Sequence, residues 1–112
     1  MTITRIDIDA TDTTAARFDA LSHPVRLRLV RLIASHGGSL CVDELTEREG
    51  TVTQPVIIYH LNRMHAVGIL EREKDGLYTY YSLRPEAVSS MQRELDRLLW
   101  QHTQAAAEAR RI

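Results

Sequence analysis

Residues 42–67, VDELTEREGTVTQPVIIYHLNRMHAV, contain two amphipathic segments that meet at a glycine. Gly50 ends the first segment, because glycine readily adopts the left-handed conformation that closes a helix. Thr53 stands where a cap for the second segment is needed. Apolar positions at helical spacing form an inward stripe on the second segment: Ile57, Leu61 and Met64. The stretch therefore predicts helices over 42–49 and 54–67, joined as a helix-turn-helix.

The flanking sequence extends this unit on both sides. A β-hairpin follows directly, with strands over 69–73 and 77–83. The other predicted elements are a helix from about Thr13, a helix from Pro24 to about Ser35, a strand over 39–41 that can pair with the hairpin, and a last helix of about 20 residues from Pro85. The fold class is mainly α with a β-hairpin wing (α+β), a winged helix-turn-helix.

The domain organisation follows from length and periodicity. A chain of 112 residues has the length of one domain. Residues 1–10 lack helical periodicity, so we expect an N-terminal arm there. The winged helix-turn-helix domain is expected over residues 11–104, and a frayed tail over 105–112.

Several protein classes do not fit the composition. The longest apolar run, from Val56 to Tyr59, has four residues, whereas a membrane-spanning helix needs ~20. Asp7, Asp9 and Asp12 stand where a secretory signal would need a basic flank and an apolar stretch. Cys41 is the single cysteine, so no disulfide within the chain is expected. We therefore expect a cytoplasmic protein with no membrane partner.

Charge is distributed unevenly, although the formal net charge is only −1. Residues 51–70 contain Arg63 and no carboxylate. A surface that approaches a phosphate backbone needs such a segment, because each carboxylate there would repel it. A buried apolar segment that excludes charge is the alternative interpretation of the same pattern.

The last helix carries more apolar surface than a small core can cover. Its apolar stripe continues along most of its length: Val88, Met91, Leu95, Leu98, Leu99 and His102. With Phe18 and Leu21 of the first helix, this stripe is expected to form a two-fold dimer interface. Such a dimer would place two copies of helix 54–67 about 34 Å apart, which is one turn of B-DNA.

Five motifs follow one another between residues 21 and 83: LSHPVRLRLV (21–30), LCVDEL (40–45), TQPVIIYHL (53–61), VGIL (67–70) and DGLYTYYSL (75–83). Together they resemble the ArsR/SmtB family of bacterial regulators. The resemblance implies a dimeric winged-helix protein that binds double-stranded DNA. Most members of the family are repressors that metal ions release from DNA, but linkage equally allows an activator or a co-repressor, so the direction of regulation stays open.

The resemblance further implies that helix 54–67 faces DNA. The matching positions are Thr53, Gln54, Val56, Ile58, Tyr59 and Asn62. Gln54 can bond an adenine edge, and Thr53 or Tyr59 can reach phosphate. The basic residues expected to attract the phosphate backbone are Arg26, Arg28, Arg63, Arg72 and Lys74.

The chain departs from the family pattern at this surface. Val56 and Ile58 replace the usual small polar residues, Asn62 replaces a common lysine, and Leu77 replaces the arginine of the wing. Fewer phosphate contacts predict weaker and less salt-sensitive binding. The apolar run also leaves an alternative open, in which Val56, Ile58 and Tyr59 form a surface for a partner protein.

A first candidate metal site lies at the start of the third helix. The family's soft-metal site uses Cys-Val-Cys there, whereas this chain has Cys41-Val42-Asp43. One thiolate cannot build a trigonal sulfur site for arsenic, so arsenite sensing through Cys41 and Asp43 is not expected. A small buried cysteine is the alternative interpretation.

The family's other common site lies between the paired last helices. In that stretch His102 is the histidine, and Asp96 is one of its acidic neighbours. Asp7 and Asp9 of the arm could complete a site of imidazole and carboxylate ligands across a dimer. Such ligands suit nickel, cobalt or zinc, and we expect nickel or zinc as the effector. The alternative is that His102 only packs at the interface.

An enzyme is not expected. No nucleophile–base pair, phosphate-cradling glycine loop or paired acids can be assembled from these motifs. We predict a homodimeric transcriptional regulator that binds a palindromic operator and responds to a divalent metal. The alternative is a winged-helix adaptor that binds a partner protein and has no metal response.

Overall fold

Between residues 5 and 111 the chain forms five α-helices and three β-strands. The computed structural model describes the backbone over this range and the side chains from residue 11 to residue 111. The elements are α1 (Arg5–Leu21), α2 (Pro24–His36), β1 (Leu40–Cys41), α3 (Val42–Glu49), α4 (Gln54–Ala66), β2 (Leu70–Asp75), β3 (Tyr78–Leu83) and α5 (Pro85–Arg110). This order confirms the predicted fold class, a mainly helical winged helix-turn-helix.

The core forms where α2, α3 and α4 pack against one face of the sheet. The predicted stripe of α4 is buried, and so is the face of α2 that carries Val25, Leu29 and Ile33, because residues three and four apart share one face of a helix. His23 caps α2, since its Nδ1 accepts a hydrogen bond from the amide of Val25 at 3.2 Å. The largest side chains with less than 2% exposure are Leu29, Ile33, Leu40, Leu45, Ile57, Leu61, Met64, Ile69 and Leu70.

The sheet has the strand order β1-β3-β2 and is antiparallel throughout. Leu40 pairs with Tyr81, which confirms that the short strand before α3 joins the hairpin. The hairpin is longer than expected, because β2 continues to Asp75, which pairs with Tyr78. The turn is therefore Gly76-Leu77, in which Gly76 has a φ of +63°, a conformation that favours glycine.

Two predicted boundaries are wrong at the ends of the chain. Helix α1 begins at Arg5, so residues 5–10 are helical and do not form the extended arm that we expected. Acidic residues in the first turns suit the positive end of a helix dipole. Helix α5 continues to Arg110 through the stretch that we expected to fray. Alanine is the best helix former, and an ion pair of 3.6 Å joins Glu108 to Arg111.

Helix α5 is the longest element, at 26 residues. It packs against α1, and its buried residues Ala87 and Met91 both lie in its first two turns. Although α5 is long, no helix within residues 5–111 is apolar enough over its length to cross a membrane.

Candidate nucleic-acid interface

The N-terminal end of α4 is open to solvent. Thr53 is the cap residue by position, but its hydroxyl makes no capping hydrogen bond, contrary to the role that we expected. Gln54 is exposed, and its Nε2 donates to Oδ1 of Asp43 on α3 at 2.9 Å. This end of α4 therefore presents a hydroxyl and a side-chain amide, groups that can bind phosphate oxygens or base edges.

The exposed face of α4 has two flanks. Ile58 and Gln54 line a cleft that they share with the wing. Arg63 lies on the other flank, beside α1, where it lines a shallow pocket with Asp19. Tyr59 lies between the two flanks and is 56% exposed. The predicted DNA-facing residues thus belong to one helix surface, but Arg63 is on the side away from the wing.

The wing separates its charges between two faces, because side chains alternate along a strand. Arg72 and Lys74 line a cleft with Ile58, on the side of the sheet that faces α4. The acidic residues of β2 occupy the alternate positions: Glu71, Glu73 and Asp75. The basic side of the wing therefore adjoins the exposed face of α4, and the acidic side is turned away from it.

Asn62 connects α4 to the wing. Its Oδ1 accepts a hydrogen bond from Arg72 at 3.1 Å and one from the Tyr81 hydroxyl at 3.4 Å. These bonds fix the Arg72 guanidinium beside α4. Asn62 thus positions the wing, a role that its place on the outer face of the helix did not reveal.

Glu49 holds the turn between α3 and α4. Its fully buried carboxylate accepts hydrogen bonds from the Thr51 amide at 2.8 Å, the Val52 amide at 3.2 Å and Arg28 Nε at 2.9 Å. Burial alone raises the pKa of Glu49, but the hydrogen bonds from Thr51, Arg28 and Val52 outweigh it and lower that pKa to about 2. The carboxylate therefore fixes the turn that sets the angle of α4.

Our sequence analysis did not identify Glu49, although one signal was present. An acid in the last turn of a helix opposes the helix dipole, so its presence there indicates a specific partner. Arg17 was also missed. Its Nε donates to the Val67 carbonyl at 2.9 Å and its Nη1 to Ser90 Oγ at 3.0 Å, which joins α1 to the end of α4 and to α5.

Two of the basic residues expected to attract phosphate are engaged in contacts within the fold. Arg26 is buried, and its Nε donates to Nδ1 of His60 on α4 at 3.0 Å. Arg28 pairs with Glu49. The expectation for Arg26 was wrong because its side chain reaches inward between α1, α2 and α4. The cations left on the exposed surface of α4 and the wing are Arg63, Arg72 and Lys74.

His60 lies at the centre of this inner cluster. Its ring is 4.4 Å from the ring of His23, between centroids, and it accepts the hydrogen bond from Arg26. Burial lowers the pKa of His60, and the neighbouring His23 and Arg26 lower it further, while Glu49 acts in the opposite direction. The imidazole is therefore neutral at pH 7, as an Nδ1 acceptor must be.

The first candidate metal site is not assembled. Cys41 is buried at the start of α3, which confirms the interpretation of a small buried cysteine. Its amide donates to Glu44 Oε1 at 3.0 Å, a bond that lowers the pKa of Glu44. Asp43 is exposed and bonds Gln54. One buried thiol beside an engaged carboxylate does not fit a soft metal ion.

The second candidate site is not assembled within one chain either. His102 and Asp96 are exposed on α5 and lie six residues apart, which places them ~120° apart around the helix. The side chains of Asp7 and Asp9 lie outside the described residues. Within the part of the chain that is described, no three histidine, cysteine, aspartate or glutamate residues are grouped to hold a metal ion.

A helix-turn-helix with an open N-terminal end on its second helix, followed by a wing with a basic inner side, defines a DNA-binding winged-helix protein. Comparison with known proteins agrees with this class. The family model described as "Bacterial regulatory protein, arsR family" matches residues 23–72.

Individual proteins give the same result. An uncharacterised HTH-type transcriptional regulator of Methanocaldococcus jannaschii is 32% identical, over 72% of this chain and 89% of its own length. An arsenic resistance transcriptional regulator of Pseudomonas putida is 36% identical, over 81% of this chain and 77% of its own length. The chain therefore belongs to the ArsR family of transcriptional regulators.

The fold has solved counterparts. One is the solution structure of a homodimeric winged helix-turn-helix DNA-binding domain from Mycobacterium bovis, a possible ArsR-family regulator. It superimposes with a TM-score of 0.70 at 19% identity and covers 92% of this chain and 93% of that one. At this identity the likeness concerns the fold alone.

Proposed function

We propose that two copies of this chain bind a palindromic operator, each inserting the N-terminal end of α4 into the major groove. The observation that carries the proposal is the open end of α4, where Thr53 and Gln54 are exposed beside the basic side of the wing. Proteins of this class place the corresponding helix in the major groove. The protein would act in the cytoplasm, as a regulator and not as an enzyme.

Each exposed residue has a proposed role. Gln54 reads an adenine edge once its amide exchanges Asp43 for the base. Val56 and Ile58 contact thymine methyl groups, and Tyr59 and Thr53 bind phosphate. The remaining residues are Asn62, which positions the wing, and the cations Arg63, Arg72 and Lys74, which attract the backbone.

The dimer is supported by the exposed stripe of α5. Leu95, Leu98 and Leu99 are each more than half exposed in the single chain, and they lie on one side of the helix. Isolated exposed leucines need no explanation, but a contiguous stripe on one helix is typical of a protein–protein interface. A second copy that covers it would bring two α4 helices onto one side of the assembly.

The proposed effector is a divalent metal, with nickel or zinc favoured over arsenite. The choice rests on the ligand chemistry of His102 and Asp96 and on the single cysteine. Because the described part of one chain groups no set of three ligands, the proposal requires ligands from both copies. Isothermal titration of the dimer should show heat with nickel or zinc, and His102→Ala should abolish it. The absence of heat with both ions would refute the metal response.

Fluorescence anisotropy tests DNA binding directly. The labelled duplex carries the DNA upstream of the gene, and titrations are repeated with nickel, zinc and cobalt at two salt concentrations. With three exposed cations per chain at the interface, the slope of log K against log salt is expected to be about −5 for a dimer. If a metal changes the affinity for the duplex, the protein is a metal sensor. If no metal changes that affinity, it is a constitutive regulator.

The alternative, an adaptor that binds a partner protein, is favoured by one observation. Val56, Ile58 and Tyr59 are all exposed, so α4 presents an apolar surface. Arg63→Ala discriminates between the two functions, with Arg31→Ala on α2 as the exposed control. A DNA-binding regulator should lose affinity and about one unit of salt slope per chain in Arg63→Ala only. A shallow slope with unchanged affinity would favour the adaptor.

A further inference from the structure

Leu77 lies at the apex of the wing and is 97% exposed. It forms the hairpin turn with Gly76, between the paired residues Asp75 and Tyr78. The positive φ of Gly76 lets two residues close this turn, and Leu77 then points away from the sheet. A single exposed leucine needs no explanation by itself, but the position of this one, beside the exposed face of α4, leaves its apolar surface free to contact whatever α4 binds.

The apex of the wing is continuous with the proposed DNA surface. Leu77 lines a cleft of about 230 Å³ together with Gln54 and Ile58 of α4. If α4 occupies a major groove, one sugar–phosphate strand runs along this cleft. The apex of the wing then lies on the other side of that sugar–phosphate strand, over the adjoining minor groove.

The apex of the wing carries no cation of its own. Residues 75–83 contain no lysine or arginine, and Asp75 directly precedes the turn. The cations of the wing, Arg72 and Lys74, lie further back, beside the cleft where the phosphate strand would run. The group that the apex offers to the minor groove is therefore apolar. Leucine is one of the side chains that proteins insert between base pairs from the minor groove.

We propose that Leu77 is an apolar wedge, which enters the minor groove beside each half-site, partly unstacks one base step and bends the duplex. This inference rests on the proposed DNA binding. It also gives the flanking sequence a part in specificity, because pyrimidine–purine steps unstack and kink more easily than other steps. Operators with TA or CA steps under the wings should therefore bind better than operators with stiff flanks.

The test uses duplexes selected by the wild-type protein from a random library. 2-Aminopurine, whose fluorescence rises on unstacking, is placed in turn at each flanking step, and bending is measured by energy transfer between the duplex ends. Leu77→Ala should lower affinity by about tenfold or more and abolish both signals, because it removes most of the buried apolar surface. Leu77→Arg should retain affinity through the negative potential of the minor groove, yet lose the unstacking signal.

Leu27→Ala is the matched control, since it removes the same atoms from an exposed leucine of α2 that lines neither of the two clefts between α4 and the wing. It should bind and bend DNA like the wild type. If Leu77→Ala also binds and bends like the wild type, or if the wild type gives no unstacking at any flanking step, the wedge is refuted while DNA binding stands. If no duplex is selected at all, both the proposed DNA binding and the proposed wedge are refuted.

Discussion

At the scale of single residues, the buried pair of Arg26 and His60 ties α2 to α4. The hydrogen bond from Arg26 requires an unprotonated Nδ1 on His60, and a second positive charge there would lie beside the guanidinium. The sequence could not show that Arg26 turns inward, because an arginine on a helix is exposed in most proteins.

We expect this pair to make stability depend on pH. The pKa of His60 is lowered by burial and by His23 and Arg26, so the unfolded chain binds its proton at a higher pH than the folded chain. The free energy of unfolding should therefore fall as the pH drops below about 6.5, the ordinary histidine value. His60→Asn keeps an acceptor near the Nδ1 position without a titrating ring, and it should reduce this loss.

Urea unfolding at a series of pH values between 8 and 5 measures the effect. His65, whose pKa is also lowered by burial and by Arg72 and Arg84, should leave part of the pH dependence in the variant. His36→Asn, at the exposed end of α2, is the control and should follow the wild type. An unaltered pH dependence in His60→Asn would show that the Arg26–His60 pair does not carry the effect.

Glu49 gives the second prediction at this scale. Glu49→Gln replaces a charged acceptor of buried amide hydrogen bonds by a neutral one, and it should destabilise the fold by about 1–3 kcal/mol at pH 7. Because the pKa of Glu49 is lowered to about 2, its stabilisation is complete above pH ~4.5 and disappears as the pH falls towards 2.

Denaturant unfolding of both proteins from pH 6 down to pH 2.5 checks this sign. The difference between wild type and Glu49→Gln should shrink as the pH falls through that window, while Glu47→Gln, exposed on the same helix, should behave as the wild type. A difference that stays constant down to pH 2.5 would contradict the lowered pKa.

At the scale of elements, hydrophobic periodicity predicted the bounds of helices and strands best where one face of the element is buried. The predicted ends of α3 and the predicted start of α4 match the structure, because a glycine, a cap position and the apolar stripe all indicate the same residues there. The strand bounds predicted for the wing were less accurate. Strand β2 continues through Lys74 and Asp75, two residues that on their own are typical of a turn. Pairing with Tyr78 and Thr79 holds these two residues in the strand, and such cross-strand partners are invisible in a local window.

The helices at the ends of the chain show the same limit. The predicted start of α1 was wrong because residues 5–10 show no apolar periodicity. The predicted end of α5 was wrong because a run of alanines has no alternation of apolar and polar residues from which a helix could be recognised. The exposure of the outer residues of α4 could be predicted, since it follows from the positions of the buried stripe, whereas their assignment to DNA rests on the resemblance. The hydrogen bonds of Asn62, Gln54 and Glu49 could not, because they join residues of different elements.

At the scale of the whole molecule, the stripe of α5 predicts self-association. Leu98→Glu introduces a charge at a position that is exposed in one chain and would be buried in a dimer. We expect this variant to remain folded but to dissociate into monomers, because an unpaired charge in an apolar interface is strongly unfavourable.

Light scattering coupled to size-exclusion chromatography, with circular dichroism at 222 nm, separates dissociation from unfolding. Gln104→Glu, on the opposite side of α5, is the control and should keep the mass of the wild type. If the Leu98→Glu protein stays dimeric, the dimer interface does not include this stripe.

The central claim is that two chains present α4 to successive major grooves of one duplex. Sedimentation equilibrium with a fluorescent duplex, selected by the wild-type protein, measures it most directly. We predict a complex of two chains per duplex, lost in Gln54→Ala and retained when an exposed residue outside α4 and the wing, Arg31, is replaced by alanine. A complex with one chain per duplex, or a duplex that sediments alone at every protein concentration, would contradict the account.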